Sequence, residues 1–146
     1  MVHNIPRLQE VPPLAKAIAA KFAGLPQVVA VALAGSRTAG ASNEASDYDF
    51  YVYVQEDIPL EVREAIAQGA PAELIAQEFA ERLEINNQFW EPGDEWIDSS
   101  SGCGVDVMYR TPQWIEEQLD RVLVQHQASV GYSTCFWCNV LTSALL

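Results

Sequence analysis

Apolar residues fall into short blocks separated by proline, glycine and small polar residues, and the spacing within each block predicts an element. Leu14 to Ala23 is alanine-rich, follows Pro12-Pro13 and closes at Gly24, the pattern of a helix. Val28 to Leu33 is β-branched and apolar between Pro26 and Gly35, which predicts a buried strand. Thr38 to Ser46 is small and polar, hence a loop or a single helical turn. Asp47 to Gln55 alternates and is rich in Tyr, Phe and Val, a second strand. Leu60 to Ala67 and Ala72 to Leu83 predict helices split by Gly69 and Pro71; in the second, Leu74, Ile75, Phe79 and Leu83 form a stripe suited to core packing. Phe89 to Ser99 predicts a hairpin around Pro92-Gly93. Gly104 to Arg110 predicts a further strand, and Trp114 to Gln125 a helix entered through Thr111-Pro112 with Thr111 as its N-cap. Gly131 to Leu146 is apolar and fits either helix or strand.

Strands alternating with helices indicate a mixed α/β domain. At 146 residues and 49% hydrophobic composition, the chain is expected to form one domain, residues 1–146, with a core that needs no disulfide or metal staple. The longest apolar run, Val28 to Ala34, is far shorter than the ~20 residues of a membrane helix. Met1 to Glu10 lacks the charged start and apolar core of a secretory signal, and three cysteines argue against a disulfide framework. A soluble, cytoplasmic protein with no membrane partner is expected.

The net charge of −12 is unevenly placed: residues 41–106 hold sixteen acids against two arginines, whereas residues 1–40 are net positive. A protein that grips nucleic acid neutralises phosphates with Lys and Arg, so long nucleic acid is disfavoured as a partner and a cationic one favoured. That concerns encounter only, because a bound cation reverses polarity locally.

The chemistry concentrates in Ala34-Gly35-Ser36-Arg37 and Ser46-Asp47-Tyr48-Asp49-Phe50. Strand alternation puts Asp47, Asp49, Tyr51 and Tyr53 on one face and Tyr48, Phe50, Val52 and Val54 on the other, which is the core face. Two carboxylates side by side repel unless a cation lies between them, and oxygen ligands of this kind suit Mg²⁺ together with phosphate oxygens. In Val105-Asp106-Val107-Met108-Tyr109 the odd positions are apolar and Asp106 points the other way. If the two strands are neighbours, three carboxylates converge, enough for a two-ion site. Gly35-Ser36 follows a buried strand, where glycine lets the backbone approach a phosphate, Ser36 adds a hydroxyl donor and Arg37 a charge-assisted contact.

These residues resemble the nucleotidyltransferases of the DNA polymerase β superfamily, whose mark is a Gly-Ser pair after a strand, Asp-x-Asp on the next strand and a third acid on a later one. Gly35-Ser36, ten intervening residues, Asp47-Tyr48-Asp49 and Asp106 fit each element. The flanking text looks like the small bacterial members, including those resembling antibiotic-modifying enzymes, and the likeness covers roughly Val28 to Arg110. It implies a mixed central sheet flanked by helices, the nucleotidyltransferase fold. It further implies ATP or another NTP as donor and a two-ion Mg²⁺ site held by Asp47, Asp49 and Asp106. Asp106 would help deprotonate the acceptor, and Gly35 and Ser36, joined by Arg37, would cradle phosphates. The acceptor would be a hydroxyl on a small molecule, aminoglycoside-like and cationic, with a protein acceptor as in antitoxin-type relatives also open. Relatives of this kind usually continue into a helical C-terminal region that helps form the acceptor pocket. A chain stopping at Thr142 to Leu146 implies either truncation or a minimal version relying on a partner.

Plainer readings stand beside these. Asp47 and Asp49 also fit a turn acid and a solvated strand position, Asp106 an edge-strand acid, Gly35-Ser36 an ordinary turn, and Arg37 a surface residue paired with Glu44. Tyr51 and Tyr53 border a substrate or pack against a helix, with packing preferred. Phe89 to Asp98 offers tryptophan faces and carboxylates that suit a cationic or sugar-like acceptor, or forms a solvated acidic hairpin. Cys135 and Cys138 lack the further paired ligands of a zinc site and the helix-start context of a redox motif, so they read as buried thiols. His126 reads as a surface residue. The rival to catalysis is a non-catalytic nucleotide- or partner-binding module that keeps the fold.

Overall fold

Prolines open the helices and β-branched runs fill the strands, so the element boundaries follow the chain's punctuation closely. The computed structural model describes residues 11–35, 46–69, 84–87, 93–127 and 139–146. Helix α1 (Pro13–Ala23) starts on its own proline and ends where Gly24 N donates to Ala20 O at 3.2 Å. Strands β1 (Val28–Ala34) and β2 (Tyr48–Val54) are antiparallel neighbours, and α2 (Leu60–Gln68) follows. A hairpin of β3 (Glu84–Asn87) and β4 (Gly93–Ile97) leads into β5 (Gly104–Arg110). In α3 (Pro112–Leu123) Thr111 Oγ1 accepts from Trp114 N at 3.1 Å, the expected N-cap. Residues 139–142 are helical, and β6 (Ala144–Leu145) pairs with Ala32 and Leu33 of β1, so the apolar tail contains both states that its sequence left open.

The six strands form one mixed sheet in the order β3-β4-β5-β2-β1-β6. Among the described residues β2 and β5 pair in parallel and the other neighbours are antiparallel. One face carries Val31, Leu33, Phe50, Val52, Val105 and Val107 against Ala15, Ile18 and Phe22 of α1 and the half-buried Val62 and Ile66 of α2. Phe22 is fully buried, worth roughly 1.5–3 kcal/mol for such a side chain. The other face carries Ala32, Ala34 and Tyr51 with Val140, packed by Ile115 and Leu119 of α3. Helices therefore flank a mixed sheet on both sides, consistent with the mixed α/β class that the alternation of elements predicts. No helix among the described residues is long and apolar enough to cross a membrane.

Two expectations are corrected and two fall elsewhere. The hairpin's first strand is Glu84–Asn87, upstream of the Phe89 start that the sequence suggests. Its anchor is tertiary: Asn86 takes a left-handed φ of 60° and its N donates to the buried Asp94 Oδ1 at 2.8 Å, a partner that no local pattern reveals. Trp96 is tucked into the core as the hairpin reading expects, but Asp94, expected to be solvated, is buried with it. The helix expected over Ala72 to Leu83 and the Cys135/Cys138 pair lie outside the described residues.

Candidate active site

The register of the central strands decides which acids meet. Because β2 and β5 run parallel, Asp49 stands opposite Asp106, and because β4 runs antiparallel to β5, Glu95 stands opposite Asp106 on its other side. Ala34 of β1 completes the row beside Asp49. Three acidic positions thus lie in line across β2, β5 and β4, on the sheet face that α3 covers farther along through Tyr51 and Met108. The sequence expected Asp49 and Asp106 here, and the pairing is the consequence of the crossover between β2 and β5.

Asp49 and Asp106 are half-buried and Glu95 is exposed. Burial pushes the Asp106 carboxyl up to about 7, and the negative charges of Asp49, Glu95 and Asp47 push it the same way. Burial also raises Asp49, with Asp47 adding to the rise. The protonated Asp106 donates a hydrogen bond to ionised Asp49, which favours the charged form of the acceptor. Without a cation, the pair holds a proton between two carboxylates near neutrality. Burial and the charge of Asp49 likewise hold the Tyr51 hydroxyl well above its ordinary range, so it stays a neutral donor. Tyr51 packs with Ala32, Ala34 and Val140, the packing role preferred from its sequence position.

Asp47 lies one strand repeat ahead of that pair. It is exposed, one residue before β2, and its carboxylate rests over Gly104 at the start of β5. Its charge reaches both Asp49 and Asp106, but among the described residues no three His, Cys, Asp or Glu side chains form a group that could hold a metal. The structure therefore brings two of the three expected carboxylates together and sets the third beside them. Gly35, at the end of β1, has φ +73°. A Cβ there would collide with Asp49 Oδ2 and lie 3.2 Å from its Cγ, so the glycine both turns the chain and clears a cradle for that carboxylate. Ser36 and Arg37 lie outside the described residues.

A pair of hard oxygen donors, both raised in pKa chiefly by burial, with Asp49 seated against Gly35, could hold Mg²⁺, which takes one or two carboxylates and completes its shell with water and phosphate. Sequence reasoning missed Glu95 and Gly104. Glu95 was legible in the alternation of Asp94, Glu95 and Trp96, in which only the middle residue faces away from the core. Gly104 carries no local signal, because its significance is a neighbour on another strand. His126 is exposed, three residues beyond α3, in keeping with the expected surface position.

No protein-family model matches the chain, and no curated protein sequence matches it.

Proposed function

We propose that this chain is a nucleotidyltransferase that moves a nucleoside monophosphate from ATP or another NTP to a hydroxyl of a small, cationic acceptor. The observation that carries the reading is the juxtaposition of Asp49 and Asp106 across the parallel pair, next to a left-handed Gly35 at the end of β1. The sequence order of glycine turn, Asp-x-Asp and later acid resembles the polymerase β superfamily, and its nucleotidyltransferase fold belongs to this proposal. A Mg²⁺ ion bound by Asp49 and Asp106 would neutralise phosphate charge and polarise the α-phosphoryl group.

The chain's own residues supply the remaining steps. Gly35, with Ser36 and Arg37, orients the β- and γ-phosphates through backbone and side-chain donors. Asp47 adds negative charge beside the pair. The acceptor hydroxyl forms a new bond to the α-phosphorus as the bond to the bridging oxygen breaks, pyrophosphate leaves, and the hydroxyl proton passes to the Asp106 carboxylate. Such transfer relies on positioning and electrostatics more than on covalent chemistry of the protein. Glu95, exposed at the end of the acidic row, supports a cationic acceptor over a polyanionic one. A cytoplasmic location follows from dependence on NTP and Mg²⁺.

The decisive experiment is calorimetric titration of ATP with and without Mg²⁺ on the wild type and on Asp49→Asn. Mg²⁺-dependent binding lost in the variant supports the reading; no binding by the folded wild type overturns it. That no group of three metal-ligating side chains is found among the described residues favours a second reading, a non-catalytic nucleotide-binding module. That module would bind ATP with Mg²⁺ yet release no pyrophosphate with any acceptor.

A further inference from the structure

Gly104 opens β5 at a position where strands favour branched or aromatic side chains, and a glycine there weakens the strand for want of anything to pack. It is not among the glycines with positive φ, so its backbone conformation does not demand the residue. What fills the place of its side chain is the Asp47 carboxylate. A Cβ at position 104 would lie 2.6 Å from Asp47 Oδ1 and 2.9 Å from Asp47 Cγ, closer than such atoms approach.

The geometry has a consequence for the acidic row. Residue 104 is two positions before Asp106 and on the same face of β5, so the seat holds Asp47 within one strand repeat of the Asp49–Asp106 pair. Asp47 is exposed and repelled by the ionised Asp49, and a carboxylate with no seat relaxes outward, where water screens its charge. Any side chain at 104 displaces it in that direction.

We infer that Gly104 is a positioning residue of the candidate site: its bare backbone holds the Asp47 carboxylate beside Asp49 and Asp106, in reach of a cation carried by nucleotide phosphates. The inference rests on the nucleotide reading for its purpose and on the Gly104–Asp47 contact for its geometry, and the two are tested apart. Gly104 is a cleaner probe than Gly35, whose positive φ would add strain to any replacement.

The experiment compares wild type, Gly104→Ala, Asp47→Ala and the double variant, with Mn²⁺·ATP affinity measured by electron paramagnetic resonance and a crystal structure of Gly104→Ala without nucleotide. The expected structure shows Asp47 swung off position 104 with β5 unmoved. The expected affinity falls about 10- to 100-fold in Gly104→Ala, the range for loss of a residue supporting a metal site. Asp47→Ala should lose a similar amount, and the double variant no more than Asp47→Ala alone. A wild type that binds Mn²⁺·ATP and a Gly104→Ala that binds it equally would overturn the positioning role while leaving the nucleotide reading intact. A wild type that does not bind would end the nucleotide reading, and the crystal structure would still judge the seat: an Asp47 that stays over residue 104 would sink it. Should Gly104→Ala melt too low to crystallise, recovery of the melting temperature in the double variant supports the same contact, and no recovery refutes it.

Discussion

Arg63 of α2 grips Asp94 of β4 in a buried ion pair, and the two residues tie a helix on one face of the sheet to the hairpin at its edge. Tyr109 of β5 donates its hydroxyl to Asp94 Oδ2 at 2.6 Å, and the Arg63 guanidinium lies 4.3 Å above the Tyr109 ring. With Asn86 N as a further donor, the carboxylate of Asp94 is satisfied from three elements. The same strand presents Glu95 to the opposite face, so the network also sets the height at which Glu95 meets Asp106.

Removing the Asp94 carboxylate strands a buried guanidinium. Asp94→Ala should destabilise the fold by about 3–5 kcal/mol, whereas Arg63→Met with Asp94→Leu should cost less, because no buried charge is stranded and only the neutral donors Tyr109 Oη and Asn86 N lose this acceptor. Urea denaturation of the single and double variants checks this. Equal losses would mean that the pair contributes no more than its packing.

Gly35→Ala should destabilise by about 1–3 kcal/mol, because alanine is strained at φ +73° and its methyl group collides with Asp49. Denaturation measures the loss, and suppression by Asp49→Ala measures the collision's share. An unchanged loss in the double variant would assign all of it to the backbone.

Asp106 gives the apo protein a defined pH dependence. Its carboxyl titrates near 7 in the fold against an ordinary 3.8, so the folded state holds that proton more tightly. The stability gained is fully present below the ordinary value and is lost as pH rises through the folded one. Asp49 shifts in the same direction. Melting temperature without cation should therefore fall from about pH 4 to about pH 7, and Asp106→Asn should flatten the slope. Added Mg²⁺ should raise the melting temperature more at about pH 8 than at about pH 5, since protons compete for the same oxygens. A Mg²⁺ effect independent of pH would place its binding elsewhere.

Glu95→Gln removes a like charge standing directly across from Asp106. The apo protein should gain about 0.2–1 kcal/mol near neutrality, and the pH slope should shift downward as Asp106 loses one source of repulsion. If the acceptor is cationic, its KM should rise while kcat changes little. A fall in kcat alone would move Glu95 from acceptor binding to the reaction itself.

Helix α1, the core faces of β2 and β5 and the Thr111 cap were legible because each is set by local period or punctuation. The face assignment of β2 followed from alternation, so Asp49 and Tyr51 were placed together before any pairing was known. That β2 and β5 are neighbours was a condition the sequence left open, since strand order comes from long-range packing. The start of β3 escaped for the same reason: Asn86 bonds Asp94, and a side chain across the hairpin outweighs local preference. Asp47 was expected on the strand with its companion, but β2 begins one residue later and the carboxylate leans over Gly104 instead. No pattern within a single strand reveals a space cleared on another.

The parallel pairing of β2 with β5 has a kinetic side. β1 and β2 are consecutive in the chain, while β5 reaches β2 only after α2 and the β3–β4 hairpin have been laid down between them. Closing that long loop is the late, slow contact in such a topology. An early β1–β2 intermediate would already possess Gly35 and Asp49 but not Asp106. Two repelling acids are therefore brought together by the same event that completes the core, and the driving force for docking β5 must come from Val105 and Val107 on its other face. A cation present during folding would relieve the repulsion and speed that step, so refolding in Mg²⁺ becomes a way to see the acid pair form.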